Sequence, residues 1–252
     1  MKIIGSDYDG TMRLQGDVDP LLVEAIQTFR KQGNAFGIVS GRSIATLKQE
    51  VSRHHLQIDF AICNNGGVIL DKDFHVLNIM YMPKQIAQEI VVELKKTASN
   101  AITLNAGEHR ACLRFDETKD EKADAATIEF DILLATKQIA QVVVAYQKQE
   151  KANQIAKKIN DVYGEYVCAF ENVGCVDIVP FGCSKANGLA FIAEHFGYAK
   201  QDMYAIGDSY NDMSMIKEYH GASFYYAPQE IQDISSYVVQ DCQTFIKMIG
   251  SL

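Results

Sequence analysis

Short apolar runs alternate with stretches of helical period along the first third of this chain, and that order constrains its fold more than any other feature. Ile3-Ile4, Ala35–Val39 and Phe60–Cys63 read as buried strands. Between them, Asp19-Pro20 reads as an N-cap followed by proline at the first helical position, and Leu22, Ile26 and Phe29 share one face before Gly33 ends the helix. Ile44, Leu47 and Val51 form the next helical face. Strand, helix, strand, helix with short connections predicts a parallel sheet covered on both faces, hence an α/β core. Asn65-Gly66, between Ala61-Ile62-Cys63 and Val68-Ile69-Leu70, predicts a hairpin.

The middle of the chain follows another pattern. Pro83 opens a helix with Ile86, Ile90 and Leu94 on one face, and strands are expected over 101–104 and 112–115. Residues 116–124 hold five acids and two lysines, and read as a solvated loop or helix face. A strand over 139–146 precedes a helix with Ile155, Ile159 and Val162, ended by Gly164. Strands over 166–170 and 175–179 close this part, which suits a small α+β module inserted into the first domain. From Ser184 the alternation resumes with Leu189, Ile192 and Phe196 on a helix stopped by Gly197, then the run 203–206. The expected organisation is a core from 1–82 and 182–252, with the inserted module at 83–181.

Composition excludes several classes. The 252 residues carry a net charge of −8, which argues against a nucleic-acid partner because phosphate affinity comes from clustered Lys and Arg. No apolar run approaches the ~20 residues that span a bilayer, and the N-terminus lacks a signal-peptide pattern. Six scattered cysteines without metal-ligand spacing fit small core residues in a reducing compartment. A cytoplasmic protein, monomer or small homo-oligomer, is expected.

The chemistry resides in four places, each at the end of an apolar run or the start of a helix. Asp7-Tyr8-Asp9-Gly10-Thr11 follows the first strand, and Gly207-Asp208-Ser209-Tyr210-Asn211-Asp212 follows the run 203–206. Alone, Asp-Gly marks a tight turn, Ser40-Gly41-Arg42 a strand-to-helix connection, and Lys185 a solvated first-turn lysine. Together they match a phosphoryl-transfer site. Asp7 and Asp208 offer hard oxygen ligands suited to Mg²⁺. A carboxylate nucleophile splits phosphoester hydrolysis into two steps, and Asp9, two residues on, can serve as the acid and base. Ser40 offers a hydroxyl to a phosphoryl oxygen and Lys185 a positive charge, while the Gly10 and Thr11 N–H groups suit an anion nest.

The segments 7–11, 39–42, 184–185 and 207–213 resemble the four motifs of the haloacid dehalogenase superfamily, more narrowly its Cof-type phosphatases. Asn65-Gly66-Gly67 and Asp177-Ile178-Val179-Pro180 extend the resemblance. It implies a Rossmann-like core with an α/β cap inserted between the second and third motifs. By position it implies Asp7 as nucleophile, Asp9 as acid/base, and Ser40, Gly41 and Lys185 with Gly10 and Thr11 around the phosphoryl group. Asp7, the Asp9 main-chain carbonyl and Asp208 are implied as Mg²⁺ ligands, with Asn211 and Asp212 in support. Met12 replaces the usual leucine, Ala186 a common glycine, and Tyr225-Tyr226-Ala227-Pro228 stands where relatives have a short Gly-Asn-Ala turn.

The expected activity is Mg²⁺-dependent hydrolysis of a small phosphorylated metabolite, such as a sugar phosphate or phosphorylated cofactor. A phosphosugar mutase of the same fold is the first alternative, and it needs a basic cluster beyond Arg110, Arg114 and the scattered lysines of the module. A non-catalytic receiver-like phospho-switch is the second; Asp9 and the inserted module have no use there. Glu108, Arg110 and Asn172 are candidates for selecting the leaving group, and read equally well as exposed loop residues.

Overall fold

The computed structural model describes residues 1–115 and 121–252, and the backbone alone for 121–127. In chain order the strands are β1 (Ile3–Ser6), β2 (Arg13–Leu14), β3 (Asp17–Val18), β4 (Ala35–Val39), β5 (Phe60–Cys63), β6 (Val68–Asp71) and β7 (Val76–Ile79). They continue as β8 (Ala101–Ala106), β9 (His109–Arg114), β10 (Gln141–Ala145), β11 (Val167–Asn172), β12 (Cys175–Pro180), β13 (Met203–Ile206), β14 (His220–Phe224) and β15 (Tyr237–Val239). The chain divides into two compact units. One comprises Met1–Arg42, Thr46–Asn78 and Ser184–Leu252; the other comprises Ser43–Ala45 and Ile79–Cys183.

The first unit is built on an eight-stranded sheet ordered β15-β14-β13-β1-β4-β5-β6-β7, with helices on both faces. From β15 to β5 every pairing is parallel. β6 runs antiparallel to β5, joined by residues 64–67, so the sheet is mixed where alternation alone predicts a parallel one. The Asn-Gly signal marks a hairpin, but its connection is a four-residue turn instead of a two-residue one.

Helix α1 (Pro20–Lys31) starts as its sequence predicts: Asp19 Oδ1 accepts from Leu21 N at 2.8 Å, and Leu22, Ile26 and Phe29 are buried. α2 spans Ile44–Arg53. The second unit contributes α3 (Lys84–Lys95), α4 (Glu121–Thr136) and α5 (Gln149–Tyr163). Back in the first unit lie α6 (Lys185–Phe196), α7 (Met213–Glu218), α8 (Gln229–Gln232) and α9 (Cys242–Ser251). Leu189 and Ile192 of α6 join Ile3, Val39, Ile62, Met203 and Ala205 in one apolar core. Phe196, expected on that face, is 41% exposed and stacks on Tyr198 beyond the helix end.

The second unit is a five-stranded antiparallel sheet ordered β11-β12-β10-β8-β9. Ile90 and Leu94 of α3, Phe130 of α4 and Ile155 and Ile159 of α5 pack with Ile102, Leu104, Val142, Val144, Val176 and Ile178. Val162 lies off this face, exposed near the end of α5. The solvated loop or helix face expected over 116–124 falls partly outside the described residues; from Glu121 the backbone is helical.

Candidate active site

The registers of β1 set the site's floor. Ser6 pairs with Ile206 of β13 and Ile38 of β4, so three neighbouring parallel strands end almost level. Asp7, Asp208 and Ser40 therefore leave the sheet at one carboxyl edge, where open α/β sheets bind ligands. The chain turns back at once: the N–H groups of Met12 and Arg13 donate to Tyr8 O at 3.0 and 2.8 Å, and Gly10 N donates to Arg13 O at 3.1 Å. This turn holds Gly10 at φ +88°, and a Cβ there would stand 2.5 Å from Asp208 Oδ2. Glycine is required on both counts.

Lys185 opens α6. Ser184 caps the helix by accepting from Asn187 N at 3.1 Å, and burial of Leu189 and Ile192 fixes the helix on the sheet. Its side chain is fully buried, with Nζ 2.5 Å from Asp7 Oδ1 and 2.5 Å from Asp212 Oδ1. A lysine in a first turn opposes the helix dipole. Burial also disfavours its charge, but the attraction of Asp212 and Asp7 outweighs this and holds the ammonium above its usual range. For Asp7 the balance is reversed. Burial raises its carboxyl, Lys185 opposes that, and the charges of Asp212 and Asp208 add to it, leaving Asp7 well above the ordinary range.

Asp208 accepts from the Thr11 hydroxyl at 2.7 Å, and burial pushes it up to about 6. Asp212 uses its second oxygen to hold the loop, accepting from Asp208 N and Ser209 N at 3.0 Å each. Asn211 accepts from Ser209 Oγ at 2.8 Å and donates to Asn65 Oδ1 at 3.2 Å. Asn64 and Asn65 both have φ near +50°, a conformation their short polar side chains tolerate. Asn65 N donates to Ser40 O and Asn64 N to Arg42 O, each at 3.0 Å, so this turn ties the Ser40 loop to the Asn211 loop.

Carboxylate oxygens of Asp7, Asp208 and Asp212 lie within 4.8 Å of one another, and Asp7 Oδ2 is buried with no hydrogen-bond partner among the described residues. Three crowded acids against one lysine, all hard oxygen donors and one of them unpartnered, fit a hard divalent cation. Asp212 has both oxygens engaged already. Asp7 and Asp208 are the residues that could hold it, while Asp212 is bonded to Lys185 and to the Asp208 and Ser209 N–H groups.

The remaining predicted residues fall into place unevenly. Ser40 is buried beside the end of β4, its Oγ accepting from Arg42 N at 3.2 Å. Gly41 follows in the same turn. The Thr11 side chain is buried and serves Asp208 through its hydroxyl. The expectation that the Gly10 N–H joins an anion nest is corrected: the tight turn directs that N–H to Arg13 O. Asp9 is exposed, and both its oxygens are taken by Arg42. Sequence reasoning assigned no role to Arg42, Glu50 or Tyr226. The Tyr226 hydroxyl donates to Gly10 O at 2.7 Å, which is how the unusual 225–228 loop meets the site. Glu108 and Arg110 are exposed and Asn172 half-buried on the second unit.

The chain is similar to known proteins in sequence and in fold. The family model of haloacid dehalogenase-like hydrolases matches residues 4–243. A Buchnera aphidicola protein named as a phosphatase is 24% identical over 228 residues, covering 86% of this chain and 81% of its own. The HMP-PP phosphatase of an Enterobacter species is 35% identical over 60 residues, 23% of this chain and 22% of that protein. Among solved structures, a haloacid dehalogenase-like hydrolase from B. subtilis superposes with a TM-score of 0.84 at 17% identity, covering all of both chains. The phosphatase BT1666 of Bacteroides thetaiotaomicron gives 0.80 at 20% identity, covering 100% of this chain and 96% of that one. The subclass IIB sugar phosphatase BT4131 gives 0.78 at 18% identity over the whole of both chains. Among the described residues, no helix is long and apolar enough to cross a membrane.

Proposed function

The chain belongs to the haloacid dehalogenase-like hydrolases, and from that membership we propose that it is a Mg²⁺-dependent phosphomonoester hydrolase working through an aspartyl-phosphate. The observation that carries this reading is the buried, unpartnered Oδ2 of Asp7 beside an ammonium shared with Asp212. Such an oxygen is poised for a ligand or an electrophile, and its neighbours are those a transferring phosphoryl group needs.

In the first step Asp7 attacks phosphorus. The bond to the leaving oxygen breaks, and Asp9 gives that oxygen its proton. In the second, Asp9 takes a proton from the water that attacks the aspartyl-phosphate. Cleavage of the phosphorus–Asp7 bond then releases inorganic phosphate and restores the carboxylate. Lys185 holds the Asp7 carboxyl in place and offsets charge on the phosphoryl oxygens. The Ser40 hydroxyl and the Thr11 loop line the same edge of the sheet. Asp7 and Asp208, with the Asp9 main-chain carbonyl, are the residues to hold Mg²⁺, which supplies charge neutralisation to the transferring group when bound. The division of labour in the acid pair, one buried and one exposed, separates nucleophile from proton carrier.

The proposed substrate is a small phosphorylated metabolite. The names of similar proteins support that class: one is an HMP-PP phosphatase, another a sugar phosphatase. Phosphate release should be measured over a panel of sugar phosphates and phosphorylated cofactors with Mg²⁺. We expect turnover that EDTA abolishes and Asp7→Asn lowers at least ~10³-fold. Turnover that survives either treatment would sink the mechanism. An isomerised sugar phosphate without free phosphate would point to a mutase instead.

A further inference from the structure

Different cations hold the two aspartates of the pair. Asp7 is buried on Lys185, whereas the Asp9 side chain is 42% exposed and lies on the guanidinium of Arg42. Arg42 Nε donates to Asp9 Oδ2 at 2.6 Å and Nη2 to Oδ1 at 2.8 Å, a fork on both oxygens. Arg13 Nη1 adds a longer contact to Oδ1 at 3.4 Å. A planar fork of this kind sets the direction of a carboxylate as well as its distance, which a lysine cannot do.

The fork is itself seated. Arg42 Nη1 lies 3.7 Å from Oε1 of Glu50 on α2, and the guanidinium stands 5.2 Å from the centre of the Tyr8 ring. Glu50 accepts from the Tyr8 hydroxyl at 2.9 Å and lies 3.2 Å from Arg13 Nε. His54 Nε2, just past the end of α2, stands 3.6 Å from Glu50. One half-buried carboxylate thus gathers the two arginines that touch Asp9, and the tyrosine between Asp7 and Asp9. Exposed ion pairs contribute little to stability, commonly about 0–1 kcal/mol. A seated, bidentate one on the residue next but one to the nucleophile has a better use in orientation.

We propose that Arg42, seated by Glu50, is a positioning residue for Asp9 in phosphoryl transfer. This rests on the phosphatase reading above. A carboxylate has about four lone-pair directions. The fork occupies one on each oxygen and Arg13 a second on Oδ1, which leaves one on Oδ2 for the proton given to the leaving oxygen and later taken from water. Without the fork, the exposed Asp9 side chain keeps only the long Arg13 contact on one oxygen, and its direction is no longer fixed when the bond to phosphorus breaks.

The test exploits leaving groups that differ in their need for a proton. p-Nitrophenolate leaves unaided, whereas the alkoxide of glycerol phosphate or a hexose 6-phosphate does not. Single-turnover release of each leaving group should be followed in wild type, Arg42→Ala, Arg42→Lys, Asp9→Asn and the Asp9→Asn/Arg42→Ala double variant. We expect Arg42→Ala to slow alkyl release at least tenfold more than nitrophenol release, and Arg42→Lys to resemble it because charge without a fork does not orient. The double variant should lie within twofold of Asp9→Asn, since both changes remove one function. Glu50→Gln, which keeps Arg42 and unseats it, should show the same leaving-group dependence more weakly, and serves if Arg42→Ala does not fold. Equal slowing of both substrates by Arg42→Ala, or a double variant slower by the product of the single effects, would overturn the role. Asp7-dependent turnover in the wild type separates that result from failure of the phosphatase reading; absence of such turnover would remove both.

Discussion

Lys185 Nζ stands 2.5 Å from Oδ1 of both Asp7 and Asp212, joining the end of the first strand to the loop after β13 through the start of α6. Asp212 in turn holds the N–H groups of Asp208 and Ser209. One ammonium thereby aligns the proposed nucleophile with the backbone of a proposed metal ligand.

This bridge makes stability and activity depend on the same side chain. Lys185→Met leaves two buried carboxylates without their cation, and removing one partner from such a group costs about 3–5 kcal/mol. Adding Asp212→Asn removes one of the two stranded charges and should recover at least ~1 kcal/mol while activity stays lost. Urea unfolding of the two variants checks this. A double variant less stable than Lys185→Met would mean that Asp212 stabilises the loop independently of Lys185.

Stability should depend on pH in a direction that reverses when metal is present. The Asp208 carboxyl is pushed up to about 6, and Asp7 is raised too, both above the ~4 of an unfolded chain. The metal-free fold thus keeps protons that the unfolded chain releases, and its stability falls as pH rises from about 4 through 6. A cation replaces those protons, so its binding strengthens over the same window. Thermal melts with and without saturating Mg²⁺ should show a rise in Tm of several degrees at pH 7.5 and little at pH 5. An equal rise at both would contradict the assignment of these acids as ligands.

Gly66 tests the turn behind the site. Its φ is +102°, and a Cβ would stand 2.1 Å from the main-chain oxygen of Ser184. Gly66→Ala must therefore displace the cap of α6, at a cost of at least about 2 kcal/mol. Lys185 shifts with that cap, so kcat should fall along with Tm. Wild-type activity in a stable Gly66→Ala variant would show that the start of α6 need not be held there.

The elements most legible from sequence were those with local signals. Asp19-Pro20 and Ser184 name their own helix starts because a side chain and the backbone two or three residues away settle the matter. β4 and β5 were legible as apolar runs because both faces of a central parallel strand are covered. Helix α4 was not legible. Phe130 and Leu133 are buried in it, but Ile128 and Ile132 are exposed, so no single apolar stripe marks a period. Val162 failed for the related reason that helical spacing says which residues align and not where the packed face ends.

In the site, the residue types could be read and their partners could not. The two acidic clusters, the hydroxyl at Ser40 and the lysine at 185 follow from motifs at strand ends and a helix start, whose local chemistry is written in a few neighbouring positions. Which carboxylate meets which cation is decided by strand register and helix packing. Lys185 reaches Asp7 across 178 residues only because α6 packs its leucine and isoleucine on the sheet that carries β1. Arg42 was a turn residue in the sequence and holds Asp9 because β4 ends level with β1 and Glu50 lies behind the guanidinium. The sequence by itself determined the α/β alternation and the kind of chemistry available. The tertiary structure alone decided that one aspartate is buried against a lysine and the other exposed on an arginine, because burial and charge pairing are properties of packed neighbours and not of the order of residues.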